Sequence, residues 1–413
     1  MIKTPTFQLV FSVIAMVMIA NLQYSWGLFT EPLKEAHSWS LTQIAFGFSV
    51  FINLQVWVQP LEGWFVDKLG PRPFITVAGI LCGVGWSLMG RASSLPELYF
   101  YYGMAGIGAA FVYSSCIGSA LKWFPDRRGF AAGIIAAGFG GGSAAFVPLI
   151  AYLIKNYNYQ TAFIVTGIIQ GVVISVVAQF LRHPGPDFKP VKAAPTAAAL
   201  AKSRRNSESF TTPEMLQTPQ FYILYFMFVA MATGGLFVTA NSSSLVKSWG
   251  MTTAVLTTAV ALNNVSNGVA RIFWGWASDR LGRENTMAVT FFLQSACLIS
   301  VVTLGRTSSV MFTITLILTY FTWGQIYSLF PSTNGDYFGS KNATSNYSFL
   351  YSAKGVASVI GAPVAAWLFG RLGSWDAVFY GSAILALLSG ITALVLRTRP
   401  LPQKEVRSLA SSA

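Results

Sequence analysis

The chain has 413 residues, 54% of them hydrophobic and only 10% charged, against about 25% charged in a soluble domain. Forty-one Lys, Arg, Asp and Glu side chains cannot cover a water-soluble particle of this size, so a water-soluble enzyme is excluded and lipid is the main solvent. The net charge of +13 would suit nucleic acid, but its distribution along the chain argues against that partner.

Apolar runs near 8–29, 41–66, 73–91, 97–121, 130–155 and 160–181 predict six membrane-spanning helices. The first lacks the small-residue cleavage site of a secretory signal and is expected to remain as a helix. A polar segment follows, with Pro184, Pro186, Pro190 and Pro195 ahead of Lys202-Ser203-Arg204-Arg205. It reads as a linker, with short surface helices around 193–202 and 213–216. Six further runs lie near 219–246, 253–278, 285–305, 308–333, 344–371 and 376–397. The expected fold class is an all-α integral membrane protein of twelve transmembrane helices. Its organisation is a six-helix bundle at 1–181, a cytoplasmic linker at 182–218, a second six-helix bundle at 219–397 and a cytoplasmic tail at 398–413.

An even number of spans puts both termini on one side. Counted over alternate loops, 19 Lys and Arg fall on the side of the termini and six on the other: Lys34, Arg91, Lys155, Lys247, Arg306 and Arg371. The positive-inside rule makes the first side cytoplasmic, so the basic excess reports topology and no nucleic-acid partner is expected. Cys82, Cys116 and Cys297 all lie in apolar runs and read as free thiols. The two histidines, His37 and His183, lie in loops, and no metal, cofactor or catalytic cluster is expected.

Gly63-Trp64-Phe65-Val66-Asp67-Lys68-Leu69-Gly70 recurs 212 residues later as Gly275-Trp276-Ala277-Ser278-Asp279-Arg280-Leu281-Gly282. Each copy joins the second and third spans of its half, so the halves share one helix order and should be related by a pseudo-twofold axis along the membrane normal. This is an alternating-access architecture. The loop resembles the signature loop of the major facilitator superfamily, and the resemblance covers essentially the whole chain. It implies a gating role for Asp67, with Arg72, Asp279 and Arg280 in the corresponding loop positions. On the fifth span, Gly129, Gly133, Ala137, Gly141 and Ala145 recur every four residues and predict an interface helix.

Two cations are left at membrane depth. Arg271 lies eight residues before Asp279, roughly 12 Å inside its helix end, and Lys354 about 15 Å inside the eleventh span. Each costs on the order of 2.5–3.5 kcal/mol at the centre of a span. The acids fall in loops or at helix ends, and Glu62 is placed near the inner end of its helix. With no midplane carboxylate, the missing partner is an anionic ligand: a small dianion, or an anion with one carboxylate and a polar end. Trp323 and Tyr327, spaced i, i+4, together with Tyr351, Tyr24 and Tyr113 can supply donors and flat ring faces.

Gln23-Tyr24-Ser25-Trp26, Trp123-Phe124-Pro125-Asp126-Arg127-Arg128-Gly129, Phe321-Thr322-Trp323-Gly324, Phe330-Pro331-Ser332-Thr333-Asn334 and the Lys354 segment together resemble the bacterial oxalate:formate antiporter family. The resemblance implies that Arg271 and Lys354 are the two substrate-binding cations and that Gln23, Tyr24, Gln43, Tyr113, Trp323 and Tyr327 are neutral pocket positions. The expected function is secondary transport of small carboxylates, as an oxalate:formate-type exchanger in a bacterial inner membrane, by a monomer whose partners are small carboxylate anions and lipid. Two like charges resist being desolvated together, so an empty cleft should resist closing; this favours antiport. The alternative is a proton-coupled, pyruvate-like monocarboxylate transporter, for which Glu62 is the available acid.

Overall fold

Helical stretches follow the predicted runs closely, several of them broken into two or more helices, in a computed structural model that describes residues 4–124, 128–184, 206, 208–339 and 342–403. The first half comprises α1 (Pro5–Tyr24), α2 (Thr30–His37), α3 (Leu41–Trp57), α4 (Gln59–Leu69), α5 (Pro71–Met89), α6 (Leu95–Trp123), α7 (Arg128–Gly141), α8 (Phe146–Asn156) and α9 (Tyr159–Ala178). A short α10 (Thr212–Leu216) leads into the second half: α11 (Pro219–Ser248), α12 (Thr253–Leu281), α13 (Arg283–Thr303), α14 (Ser309–Trp323), α15 (Ile326–Phe338), α16 (Ala343–Tyr351), α17 (Ala353–Val359), α18 (Ala365–Leu372) and α19 (Asp376–Thr398). The expected helix around 193–202 falls outside the described residues.

Starts and stops have local causes. Pro sits in the first turn of α1, α5, α6 and α11, where its missing N–H is not needed. Thr211 and Glu214 form a capping box at α10. Each copy of the repeated loop ends on a glycine with positive φ, Gly70 at 80° and Gly282 at 91°, which turns the chain sharply from α4 into α5 and from α12 into α13. The fifth and eleventh spans are broken at matching places. A 3-10 turn at Gly142–Ala145 separates α7 from α8, and a π-helical turn at Ile360–Val364, containing Pro363, separates α17 from α18.

Eleven helical stretches among the described residues are long and apolar enough to cross a membrane. The predicted span missing from that set is α12. It has the length, 29 residues or about 43 Å, but its interior face carries Asn263, Asn264, Ser266, Asn267 and Arg271, all buried. Val265, Val269, Ile272, Phe273 and Trp276 on its other face are exposed. A helix polar inside and apolar outside fits a bundle solvated by lipid around a polar centre.

Packing repeats between the halves. In the first, α5 packs on α6 and α9, and α3 on α6; in the second, α13 packs on α14 and α19, and α12 on α14. The two sets meet along two seams, α7 against α12 and α3 against α17. Small residues make the first seam: a Cβ on Gly268 would lie 3.2 Å from the Ala137 carbonyl and from Gly141 Cα. The ridge predicted on the fifth span thus serves as an interface at Ala137 and Gly141. The second seam is polar, with Ser49 Oγ donating to the Ser358 carbonyl at 2.8 Å and Asn53 Nδ2 to the Gly355 carbonyl at 3.3 Å.

Candidate functional site

The two seams and the helix breaks beside them bring Arg271 and Lys354 together in the middle of the bundle. Arg271, 1% exposed on α12, donates from Nη1 to the Ala136 carbonyl at 2.8 Å, from Nη2 to the Tyr24 hydroxyl at 2.9 Å and from Nε to Asn267 Oδ1 at 3.3 Å. Lys354, fully buried on α17, donates from Nζ to Gln23 Oε1 and Gln55 Oε1, both at 2.8 Å, and to the Tyr351 hydroxyl at 3.2 Å. The guanidinium lies 4.4 Å and the ammonium 5.7 Å from the same Tyr327 ring centre, so the charges are at most about 10 Å apart. Phe139 faces both as well, at 5.9 and 5.6 Å.

Every one of these partners is electrically neutral. Among the described residues neither cation touches a carboxylate, so two positive charges sit in a low-dielectric interior with dipoles and ring faces alone to hold them. Around them are buried donors without a hydrogen-bond partner: Trp323 Nε1, the Tyr327 hydroxyl, Gln23 Nε2 and Gln55 Nε2. Buried polar groups are rarely left so. A cluster of cations and spare donors is chemically an anion receptor, and the rings give it flat walls. Tyr113 stacks on Tyr351 at 5.7 Å, Tyr24 meets Phe139 edge-on at 5.3 Å, and Trp323 meets Tyr327 at 5.4 Å. Gln23, Tyr24, Gln55, Tyr113, Trp323, Tyr327 and Tyr351 are all buried, so the centre is closed off from solvent.

Eight of the nine pocket residues named from the sequence, Gln23, Tyr24, Tyr113, Arg271, Trp323, Tyr327, Tyr351 and Lys354, therefore converge. Gln43 does not. It is exposed at the start of α3, where its Oε1 accepts from the Ser40 backbone N–H at 2.9 Å and completes a capping box. Twelve residues later on the same helix, roughly 18 Å away, Gln55 supplies the contact to Lys354. Glu62 is 3% exposed, in the first turn of α4 and the last residue of the apolar stretch Leu41–Glu62, and its Oε1 accepts from the Ser114 and Ser115 hydroxyls. Residues missed at the centre are Gln55 and Asn267. Asn267 stands one turn before Arg271, and Gln55 is a polar position inside an apolar run, so both carried a signal.

The loop residues lie away from the centre. Asp279 pairs with Arg283 at 2.7 Å, and Arg283 Nε also reaches Asp336 at 3.0 Å, tying α12, α13 and α15 together. Arg280 stacks over Trp276 at 4.0 Å. Arg72 Nε donates to Gln179 Oε1 at 2.9 Å. The side chain of Asp67 falls outside the described ones. At the opposite end of the bundle, Lys247 of the second half pairs with Glu31 at 2.9 Å and Glu35 at 2.7 Å of the first.

Comparison with known proteins shows the family. The profile of the Major Facilitator Superfamily matches residues 11–344 and 223–412. The chain is 38% identical over 383 residues to an oxalate:formate antiporter of Oxalobacter formigenes, covering 93% of this chain and 89% of that protein. An uncharacterised MFS-type transporter of Escherichia coli, YhjX, is 24% identical with 81% of each covered, and monocarboxylate transporter 12 of Mus musculus 25% identical with 88% and 81% covered. By that profile, that identity and the two-seamed helical bundle, the chain belongs to the major facilitator superfamily.

Proposed function

We propose that the protein exchanges small carboxylates across a membrane by alternating access, in the manner named for its 38% identical relative, an oxalate:formate antiporter. The observation that carries the reading is the pair of buried cations, Arg271 and Lys354, held by neutral partners and facing one Tyr327 ring. A planar dianion between them would meet a bidentate fork on one side and a point charge on the other. Trp323 and Tyr327 would donate to its remaining oxygens. Gln23, Tyr24, Tyr113 and Tyr351 would fix its orientation. The membrane proposed is the bacterial inner membrane, with both termini cytoplasmic by the distribution of Lys and Arg.

Exchange follows from electrostatics. Closing the cleft around two bare cations desolvates both, whereas closing it around an anion desolvates a neutralised set. The loaded carrier therefore crosses more readily than the empty one. The proton-coupled monocarboxylate reading has weaker support, since the mouse relative of that name is 25% identical against 38%. Counterflow in proteoliposomes against a panel of small carboxylates tests the proposal. Oxalate inside should drive uptake of labelled oxalate and formate; uptake indifferent to any internal carboxylate would refute it.

A further inference from the structure

The two buried cations and most of their partners belong to different halves. Arg271 and Lys354 lie on α12 and α17 of the second half. Of the six groups that accept from them, four belong to the first half: Gln23 and Tyr24 on α1, Gln55 on α3 and Ala136 on α7. Two belong to the second, Asn267 on α12 beside Arg271 and Tyr351 on α16 beside Lys354. In alternating access the halves rock against each other around the central site, so contacts across the seams are drawn apart when an end opens and contacts within one half persist. Arg271 then loses the Ala136 carbonyl and the Tyr24 hydroxyl. Asn267 is the partner that travels with it.

Three features fit Asn267 to that task. It stands at i, i+4 with Arg271 on one helix face, so no neighbouring helix has to move to bring the amide to the guanidinium. It is fully buried, and the turn after Trp323 is packed onto it: a Cβ on Gly324 would stand 2.6 Å from Asn267 Oδ1 and 2.8 Å from the Asn267 carbonyl, which leaves the amide little room to turn. The internal repeat supplies the third feature. Gln55, whose Oε1 accepts from Lys354, stands 212 residues before Asn267, the same shift that relates the two loops. Equivalent positions of the two halves thus place one amide oxygen on each cation, but Gln55 faces its cation across a seam and Asn267 stands beside its own.

A guanidinium only donates, so a carbonyl oxygen is what Nε requires, and an amide provides it without cancelling the charge that an anion needs. With Nε held by Asn267, the two terminal nitrogens stay turned toward the first half, where Ala136 and Tyr24 accept from them in the closed protein. Those are the nitrogens that a carboxylate takes in bidentate fashion. Resting on the carboxylate-exchange reading, we propose that Asn267 is a positioning residue for Arg271: it keeps the guanidinium fork aimed into the cleft while the halves are apart, so that the second half takes up the carboxylate and the first half closes over it.

The experiment uses the full chain, in detergent for equilibrium binding of oxalate and formate and in proteoliposomes for counterflow. Asn267→Ala should weaken oxalate and formate by similar factors of about tenfold, because the fork holds a carboxylate of either. Added to Arg271→Lys, the same substitution should cost nothing further, because the group that it positions is already gone. A merely structural role gives the opposite result in the double variant, a loss that adds in full. Wild-type affinity in Asn267→Ala, or full additivity with Arg271→Lys, overturns the inference while leaving carboxylate exchange standing. Should Asn267→Ala fail to insert, the nearly isosteric Asn267→Asp keeps the acceptor and brings a charge that pairs with Arg271 in place of the ligand. Oxalate and formate binding should then both fall by more than about tenfold, and wild-type binding in that variant overturns the assignment. Absence of any oxalate or formate counterflow by the wild-type protein overturns both readings together.

Discussion

Gly140 lies directly against the guanidinium of Arg271: a Cβ built there would stand 2.7 Å from Nε and 2.9 Å from Cζ. The missing side chain lets the cation press onto α7 and reach the Ala136 carbonyl and the Tyr24 hydroxyl. Gly140→Ala should therefore displace the guanidinium while leaving the helix intact. Losing a hydrogen bond to a charged group costs about 1.5–3 kcal/mol, so oxalate affinity is expected to fall roughly 10- to 100-fold. Titration calorimetry with a melting curve on the same sample checks this; unchanged affinity would show that the guanidinium position is not set by α7.

Arg271→Lys keeps the charge and removes the planar fork. Its three neutral partners, Asn267, Ala136 and Tyr24, are arranged around separate guanidinium nitrogens, a geometry that a single ammonium cannot reproduce. Dianion binding is expected to drop by about tenfold or more, measured by equilibrium dialysis at fixed ionic strength. Wild-type affinity in this variant would mean that charge alone suffices at that position.

Lys247 clasps Glu31 and Glu35 from across the interface, at the end of the bundle opposite the termini. The pair is largely exposed on the lysine side, so its worth is at most about 1 kcal/mol, or about fivefold in an equilibrium. Lys247→Gln should shift the protein toward opening at that end by a factor of that size. Labelling of a cysteine introduced beside Glu31 reports the shift, and Lys247→Glu combined with Glu31→Lys should restore it in part. A hundredfold change would contradict this estimate of the clasp.

Cys82 and Cys116 are buried, Cys297 is half-buried, and all three are free thiols. Replacing all three with Ala should lower the melting temperature by a few degrees through small cavities and leave exchange in place. Loss of exchange in a normally inserted triple variant would assign one of them a role in transport.

Helix positions were legible in the sequence because apolar run length is nearly all that a span requires, and α12 was found although its polar face makes it the least apolar of the set. Arg271 and Lys354 were legible for the opposite reason: a charge in such a run is conspicuous. Gln43 was not, because a glutamine three residues after a serine serves equally as a cap or as a lining residue, and the rotation of α3 about its axis decides which. Gln55 and Glu62 share a stripe whose direction depends on packing against α6 and α17, which no local pattern encodes.

Two cations share one dianion in the proposed site, and Lys354→Gln separates their contributions. Its ammonium is held by Gln23, Gln55 and Tyr351, neutral groups that a glutamine amide can still bond, so the pocket should keep its shape while losing one charge. Binding of oxalate and of formate to this variant, measured in detergent at pH 7 and fixed ionic strength, is the most direct test. Oxalate affinity should fall by roughly 10- to 100-fold while formate, held by Arg271, changes by less than about threefold. Equal losses for the dianion and the monoanion would contradict the two-cation site.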